Sequence, residues 1–401
     1  MELNKTSLYK QILYFIMIAG SLAYVLGGDA FEKLFNLVVI LTSLGILLMF
    51  TLISRQVFIK TPLGFKVILG LIVWMTMMTL IQNSVSEWLP TVARYFLFLL
   101  VFTISYMLAL DGSVDEVVVE RILIGCLLFG AFSGAVELLT GNVRFVNGAY
   151  RVAGNFNHHH LGYALYMFVP LVYLGHKLLE NFSIKLLLIW LFGFSMFAMS
   201  HSRALMVFLI ASFAFTLFFW QESYKRKVVM LGVGMAVLFL LYNVVLHTEL
   251  FPRLRDLLVV DELDPSTLYR IFVYEASTGQ MSIFAKLFGI GAGGFNEFFY
   301  SATGITGTAA HNDYLLVYVE GGIFSLVAYL VFQIVMLKYF YNVSLVTKSP
   351  GYALKASFSL FLFMEIFGFL LNAHYFYQSE VMLCLILGVA LGERKRELID
   401  G

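Results

Sequence analysis

The sequence predicts an all-α polytopic membrane protein with about twelve transmembrane helices and one large outer loop that contains amphipathic helices. Three observations carry that expectation. The 401 residues are 60% hydrophobic and only 13% charged, too apolar for a soluble domain of this size. Apolar runs of about 17–25 residues recur along the chain, each long enough for a ~30 Å hydrocarbon layer. Most of the connections between them are short. A transmembrane barrel would need short alternating segments instead, and the sequence has none. Net charge is +1, which implies no bulk attraction to nucleic acid. Cys126 and Cys384 both sit in apolar runs and build neither a disulfide framework nor a zinc spacing.

The spans are expected at 10–27, 33–53, 64–82, 90–110, 117–139, 161–179, 184–200, 203–220, 227–246, 313–337, 353–372 and 376–392. The run from Ile12 reads as the first membrane helix rather than a cleaved leader, because no small-x-small site and soluble domain follow it. Two connections are long, 140–160 and 247–312, and no internal repeat is visible. The whole chain therefore reads as one integral membrane domain, 1–401, in which 247–312 carries part of the site.

Orientation follows from positive charge. With both termini cytoplasmic, the inner segments hold seventeen of the 26 Lys and Arg. The acidic segment 111–120, with Asp111, Asp115, Glu116 and Glu120, does not change this, because acids count little in that rule. The outer nine are Lys33, Arg94, Arg144, Arg151, Arg203, Arg253, Arg255, Arg270 and Lys286. Seven are arginine, whereas the inner set is twelve lysines to five arginines. Arginine is the better fork for phosphate oxygens, so an outer surface rich in it suggests an anionic ligand. Pairing with Asp256, Asp261, Glu262 and Asp264, or with lipid headgroups, is the structural alternative.

Three stretches concentrate chemistry. In "MSHSRALMVF" (199–208) one span ends and the next begins almost without a loop. Ser200 and Ser202 are suited to cap the following helix. Arg203 then stands in a first helical turn, where dipole logic disfavours a cation and a shared anion would explain it. In "STLYRIFVYEASTGQMSIFAKLFGIGAGGF" (266–295), Ser266 reads as an N-cap. Leu268, Ile271, Phe272 and Ala276 share one face, with Arg270 and Gln280 off it, as in a helix lying at the membrane surface. Arg270 would sit at headgroup height, as a phosphate ligand or as a snorkelling side chain. Gly289, Gly291 and Gly294 match a dinucleotide fingerprint by spacing, but lack the βαβ context that motif needs. They read as a tight turn.

The third stretch is "TAAHNDYLLVYVEGG" (308–322). His311 precedes the tenth span on the outer side and has the chemistry to take a proton near neutral pH. Asn312 and Asp313 are helix-cap candidates. Asp313 and Glu320, seven apart, share a helix face with Glu320 ~10 Å deeper. In "NFNHHHLGYA" (155–164), His158, His159 and His160 point in different directions and make a poor single metal site. Glu365, Asn372 and His374 mark the eleventh span, where an intramembrane acid is a functional candidate or a tie between helices.

"SHSRA", "LYRIFVYEA", "LFGIGAGGF" and "AHNDYLLVYVEGGIFSLV", in this order, resemble the O-antigen ligase and polymerase superfamily over about residues 150–335. The resemblance implies about twelve membrane helices, a large periplasmic loop and a GT-C-like architecture in the bacterial inner membrane. It implies a metal-independent glycosyltransferase without cofactor. The donor would be an undecaprenyl-diphosphate-linked glycan, and the acceptor a second lipid-linked glycan or lipid A–core. Carried over, Arg203 and Arg270 look like diphosphate-binding arginines, and His311 is similar to the essential histidine. Ser202, Asn312, Asp313, Glu320, Asn157 and His158 would support them. Family members often carry Asn-Pro-Asn near 155–159, whereas here Asn157 is followed by histidines. Arg270 and His311 are only 41 residues apart, a compact loop that favours a polymerase over a ligase. A lipid-linked oligosaccharide flippase is the alternative of another class. It would carry charges along a path inside its helices and show repeated halves, whereas these candidates cluster at one face.

Overall fold

The computed structural model describes residues 11, 63–82, 88–146, 149–154, 160–220, 265–346, 351–366, 368 and 377–400. They are mostly helical. In chain order the helices are α1 (Leu63–Gln82), α2 (Trp88–Leu110), α3 (Glu116–Thr140), α4 (His160–Glu180), α5 (Ile184–Ala198) and α6 (Arg203–Trp220). After them come α7 (Pro265–Gln280), α8 (Ile283–Phe288), α9 (Phe295–Thr303), α10 (Asp313–Val346), α11 (Tyr352–Leu360) and α12 (Tyr377–Asp400). A π-helical segment, Phe361–Ile366, continues α11. Among the described residues, Glu116–Thr140 and Asp313–Asn342 are long and apolar enough to cross a membrane, and Lys66–Ile81, Phe98–Leu110, Ile184–Ala198 and Arg203–Thr216 are shorter apolar helices.

Helices stand where spans were expected, within two or three residues at most ends. The expected spans at 33–53 and 227–246, and all of 10–27 except residue 11, lie outside the described residues. Three differences are informative. The fold is not purely helical: β1 (Arg144–Val146) and β2 (Ala149–Arg151) pair antiparallel, with Arg144 opposite Arg151. The last helix runs on to Asp400, through Arg394–Glu397, because these residues are good helix formers whose charges suit an aqueous end. The tenth span is broken at Gly322, where φ is 71° and ψ −172°.

The described chain gathers into two compact units. The first comprises the described parts of Met1–Glu32, Ser113–Glu262 and Thr347–Phe363. Within it α4 is the central helix. Its residues Gly162 to His176 are all buried, as expected for a helix that is apolar all round. At one end of this unit Glu120 pairs with Lys177, and Glu180 with Lys355 at 3.3 Å. Glu120 of the acidic segment 111–120 therefore has a local counter-charge. One residue before Lys177, His176 donates from Nδ1 to the Val172 carbonyl at 2.8 Å, and its Nε2 lies 2.6 Å from the Thr216 hydroxyl.

The second unit comprises the described parts of Lys33–Gly112, Leu263–Val346 and Met364–Gly401. Here α2 packs along α12 and α1 along α10. The three short helices α7, α8 and α9 close over the start of α10. Val273, Met281, Ala285, Phe295, Phe299, Ala310, Leu315 and Val319 form their common core. The side of α7 turned to that core carries Val273. Leu268, Ile271 and Phe272 are 51%, 43% and 41% exposed, an apolar strip left for the surroundings, as an interfacial helix would leave it. α7 begins at Pro265, so Ser266 lies inside the first turn rather than capping it. Proline's fixed φ suits that first position.

Candidate functional site

The start of α10 is built around its break. A helix interrupted at Gly322 orphans the carbonyls before it, because the amides four residues on have turned away. Three donors replace them. Ile290 N–H donates to Val319 O at 3.0 Å and Gly291 N–H to Glu320 O at 2.9 Å. The Trp74 indole donates to Gly321 O at 3.1 Å. The glycine loop of 289–294 thus docks on the break as a short strand would. Gly289 and Gly322 both need positive φ and both lie against backbone. A Cβ on Gly289 would meet Glu320 O at 2.2 Å, and one on Gly322 would meet Leu287 O at 2.3 Å. The expected tight turn is present too, closed by Gly294 N–H to Gly291 O at 3.2 Å. Its Ala292 amide donates to the Thr79 hydroxyl at 2.7 Å.

His311 sits at the mouth of this helix. Asn312 does the capping: its Oδ1 accepts from Leu315 N–H at 3.0 Å, an N-cap to third-residue bond. The cap does not need His311. His311 takes a left-handed φ of 53°, and among the described residues the only other non-glycine with positive φ is His201, at 54°. Both lie within the motifs singled out by sequence, and such strained positions concentrate at functional sites. Tyr269, the residue before Arg270, packs its ring on His311 at 6.1 Å between centroids and 69° between planes. Its hydroxyl lies 2.9 Å from the Thr308 hydroxyl. Arg270 is half-buried. Asp313 and Glu320 are both buried, at 1% and 3% exposure, on the face that turns into the unit.

A polar brace holds the first half of α10. The Tyr314 hydroxyl donates to Ile366 O at 2.7 Å, and Gln333 Nε2 donates to Tyr314 Oη at 2.9 Å. Tyr329 donates to Glu365 Oε2 at 2.9 Å. Glu365 is accordingly a tie between α10 and the π segment. Asn372 and His374 lie outside the described residues, as do Asn157 and His158.

Arg203 and Ser202 belong to the first unit. Arg203 opens α6 and is half-buried. Ser200 does not cap α6. Its hydroxyl donates back to Phe197 O at 2.6 Å and closes α5, because the turn at 199–201 points it toward the helix just ended. The Ser202 carbonyl accepts from Met206 N–H at 3.1 Å, which puts Ser202 at the cap position. Beside this turn lie Glu137, for which there was no expectation, and Arg151 and His160, expected only as an outer cation and as one of three histidines. Val152 N–H donates to Met199 O at 3.0 Å. Ala153 N–H donates to Glu137 Oε2 at 2.8 Å, and Gly154 N–H to the same oxygen. Arg151 Nη1 lies 2.5 Å from His160 Nε2. Glu137, an acid inside a span, was the available signal.

Within the second unit the structure therefore brings Arg270, His311, Asn312, Asp313 and Glu320 to the same end of α10. Arg203 and Ser202 stand in the first unit with Arg151 and His160. Residues 187–330 match the family described as O-Antigen ligase. That match bears out the resemblance to the O-antigen ligase and polymerase superfamily. No curated protein matches the chain.

Proposed function

We propose that the chain is a membrane glycosyltransferase that moves a glycan from undecaprenyl diphosphate to a sugar hydroxyl on the periplasmic side of the bacterial inner membrane. The family match supports an O-antigen ligase or polymerase type of function in broad terms. The finer reading rests on one observation: Tyr269 seats its ring on His311, so the Arg270 helix and the His311 loop, separated by 41 residues of sequence, are held as neighbours. A phosphate-binding cation and a proton acceptor side by side are the parts that glycosyl transfer from a diphosphate requires.

In this reading Arg270 binds donor phosphate oxygens and stabilises the charge that leaves. Arg203 is assigned to the donor on its own ground, a cation in a first helical turn. His311 orients the acceptor hydroxyl and takes its proton. The hydroxyl oxygen bonds to the anomeric carbon as the carbon–oxygen bond to the diphosphate breaks. Undecaprenyl diphosphate leaves and the anomeric centre inverts. Asn312, Asp313 and Glu320 act on the fold of the His311 loop. No cofactor is assigned.

The compact loop favours polymerase over ligase, since three short helices offer little surface for a core oligosaccharide. Incubating purified protein with a defined diphosphate-linked glycan, together with either a second lipid-linked repeat or lipid A–core, tests both levels. Extension of the repeat supports polymerase, and transfer to lipid A–core makes it a ligase. Transfer to neither, with transbilayer movement of the donor in vesicles, would replace the enzyme reading by a flippase.

A further inference from the structure

The least polar part of the segment that closes over α10 is its middle. From Met281 to Gly294 the one charged residue is Lys286, whereas α7 carries Arg270 and Glu275 and α9 carries Glu297. One face of α8 is used for packing, through Ala285 in the shared core. The opposite face is apolar too. Ile283 is 81% exposed, and Phe284 and Leu287 are exposed beside it. A helix lying in water turns polar side chains outward. Here Lys286 is the one charge on the outer side, and a lysine stem can lie along apolar surface while its ammonium reaches water.

That outer face continues into two others. On α10, Phe324, Val327 and Ile334 are exposed at helical spacing, on a helix long and apolar enough to cross a membrane. On α1, Val73, Met77 and Ile81 are exposed in the same way. Aromatic rings join the three helices. The Phe288 ring lies 4.9 Å from Phe284, 5.7 Å from Phe324 and 6.1 Å from Trp74, between centroids.

The contacts also give α8 a depth. α1 and α10 run antiparallel, since Gly64 faces Met336 while the Trp74 indole reaches Gly321 O. Trp74 stands near the middle of α1. The exposed apolar stripe of α1 runs on past it for seven residues to Ile81, ~10 Å along the helix axis. α8, docked at Trp74, therefore lies beside the apolar length of α1. A helix in the aqueous phase would lie beyond the end of α1. Irregular backbone persists at such a level only where protein takes up its polar groups. Ala285 N–H donates to Ser282 Oγ at 3.1 Å, and Gly289 N–H to Ala285 O at 2.7 Å. The amides of Ile290, Gly291 and Ala292 go to α10 and to Thr79.

We propose that residues 281–294 form a re-entrant segment in the leaflet nearest His311, with Ile283, Phe284 and Leu287 against phospholipid acyl chains. This places α8, rather than the more polar α7, as the part of the segment that enters the lipid.

The test reads nitroxide labels on single cysteines in the purified full chain, in phosphatidylcholine nanodiscs. The buried Cys126 and Cys384 are first replaced by alanine. Labels go on Ile283→Cys, Leu287→Cys, Val327→Cys on the lipid face of α10, and Asn296→Cys, an exposed polar position of α9. Collision with oxygen, which concentrates among acyl chains, is compared with collision with a polar nickel complex. The oxygen-to-nickel ratio at 283 and 287 should exceed that at 296 about tenfold or more, toward the value at 327, because a polar complex partitions poorly into acyl chains. A ratio at 283 and 287 equal to that at 296 would put α8 in water and overturn the segment. Exclusion of both reagents from 283 and 287 would overturn it as well, since protein, such as a second copy of this chain, would then cover the face. Should Ile283→Cys not fold, Leu287→Cys decides alone.

Discussion

The main-chain amide of Gly291 donates to the carbonyl of Glu320 over 2.9 Å. With the Ile290–Val319 bond beside it, this contact holds a loop and a broken helix as one piece, and glycines stand on both sides of the seam. Gly289→Ala and Gly322→Ala each add a Cβ within 2.3 Å of backbone at a positive φ. Each should destabilise the protein by about 1–3 kcal/mol and lower activity by displacing the His311 loop. The two act on one contact, so the double variant should lose less than the sum. Melting temperatures in detergent check this, and stability equal to the unaltered chain in both variants would refute it.

Arg203→Ala and Arg270→Ala should each abolish transfer without unfolding the protein. Lysine at either position should rescue poorly, because it keeps charge and loses the two-point fork. Turnover of purified variants with a defined donor is the measurement. Near-normal activity of both lysine variants means that charge suffices. Full activity of both alanine variants removes the phosphate-binding role.

His311 should serve the acceptor. His311→Ala should lose about 10²–10⁴-fold in turnover yet still bind the diphosphate-linked donor. His311→Gln keeps a hydrogen bond but takes no proton at neutral pH. Substantial activity in His311→Gln with none in His311→Ala assigns positioning rather than base catalysis. Normal turnover of His311→Ala with both substrates saturating leaves only the helix start to explain this residue.

Tyr269 should act through His311. Tyr269→Phe keeps the ring contact and loses the bond to Thr308, and Tyr269→Ala loses both. A ring that orients His311 predicts a larger fall in kcat than in donor affinity, ordered Ala well below Phe. Equal and small effects in both would show that the ring contact has no bearing on turnover.

Both termini should lie in the cytoplasm and 247–312 outside. Cysteines placed singly at 262 and 395 should label differently with an impermeant reagent on intact spheroplasts. Labelling at 395 without labelling at 262 reverses the orientation.

Much of this was legible in sequence. Hydropathy runs located the long described helices, since burial in lipid or protein demands the same apolar side chains, whereas the short α8 and α9 carried no such run. The polar "AHND" at a helix mouth drew attention to His311, and Asn312 caps as its residue type suggests. The break at Gly322 was not legible, because hydropathy continues through it and its partner loop lies some thirty residues earlier. The hairpin of β1 and β2 was not legible either, at three residues a strand. Arg151 was visible only as one of nine outer cations. What singles it out is its bond to His160 and the clamp of Glu137 on the next residues, both products of folding.

The interruption of α10 also bears on how the chain is made. Ile323 to Asn342 is twenty residues long with Lys338 as its one charge, enough by itself to be taken into a bilayer. The nine residues before Gly322 include Asp313 and Glu320, each of which would add about 2.5–3.5 kcal/mol to insertion at the centre of a span. A translocon that commits on the later stretch alone never meets that cost. In the proposed orientation the earlier half is left on the far side, where the 289–291 loop has been synthesised and exported before it. In that orientation the helix would be finished from outside, by a segment already waiting to take its carbonyls.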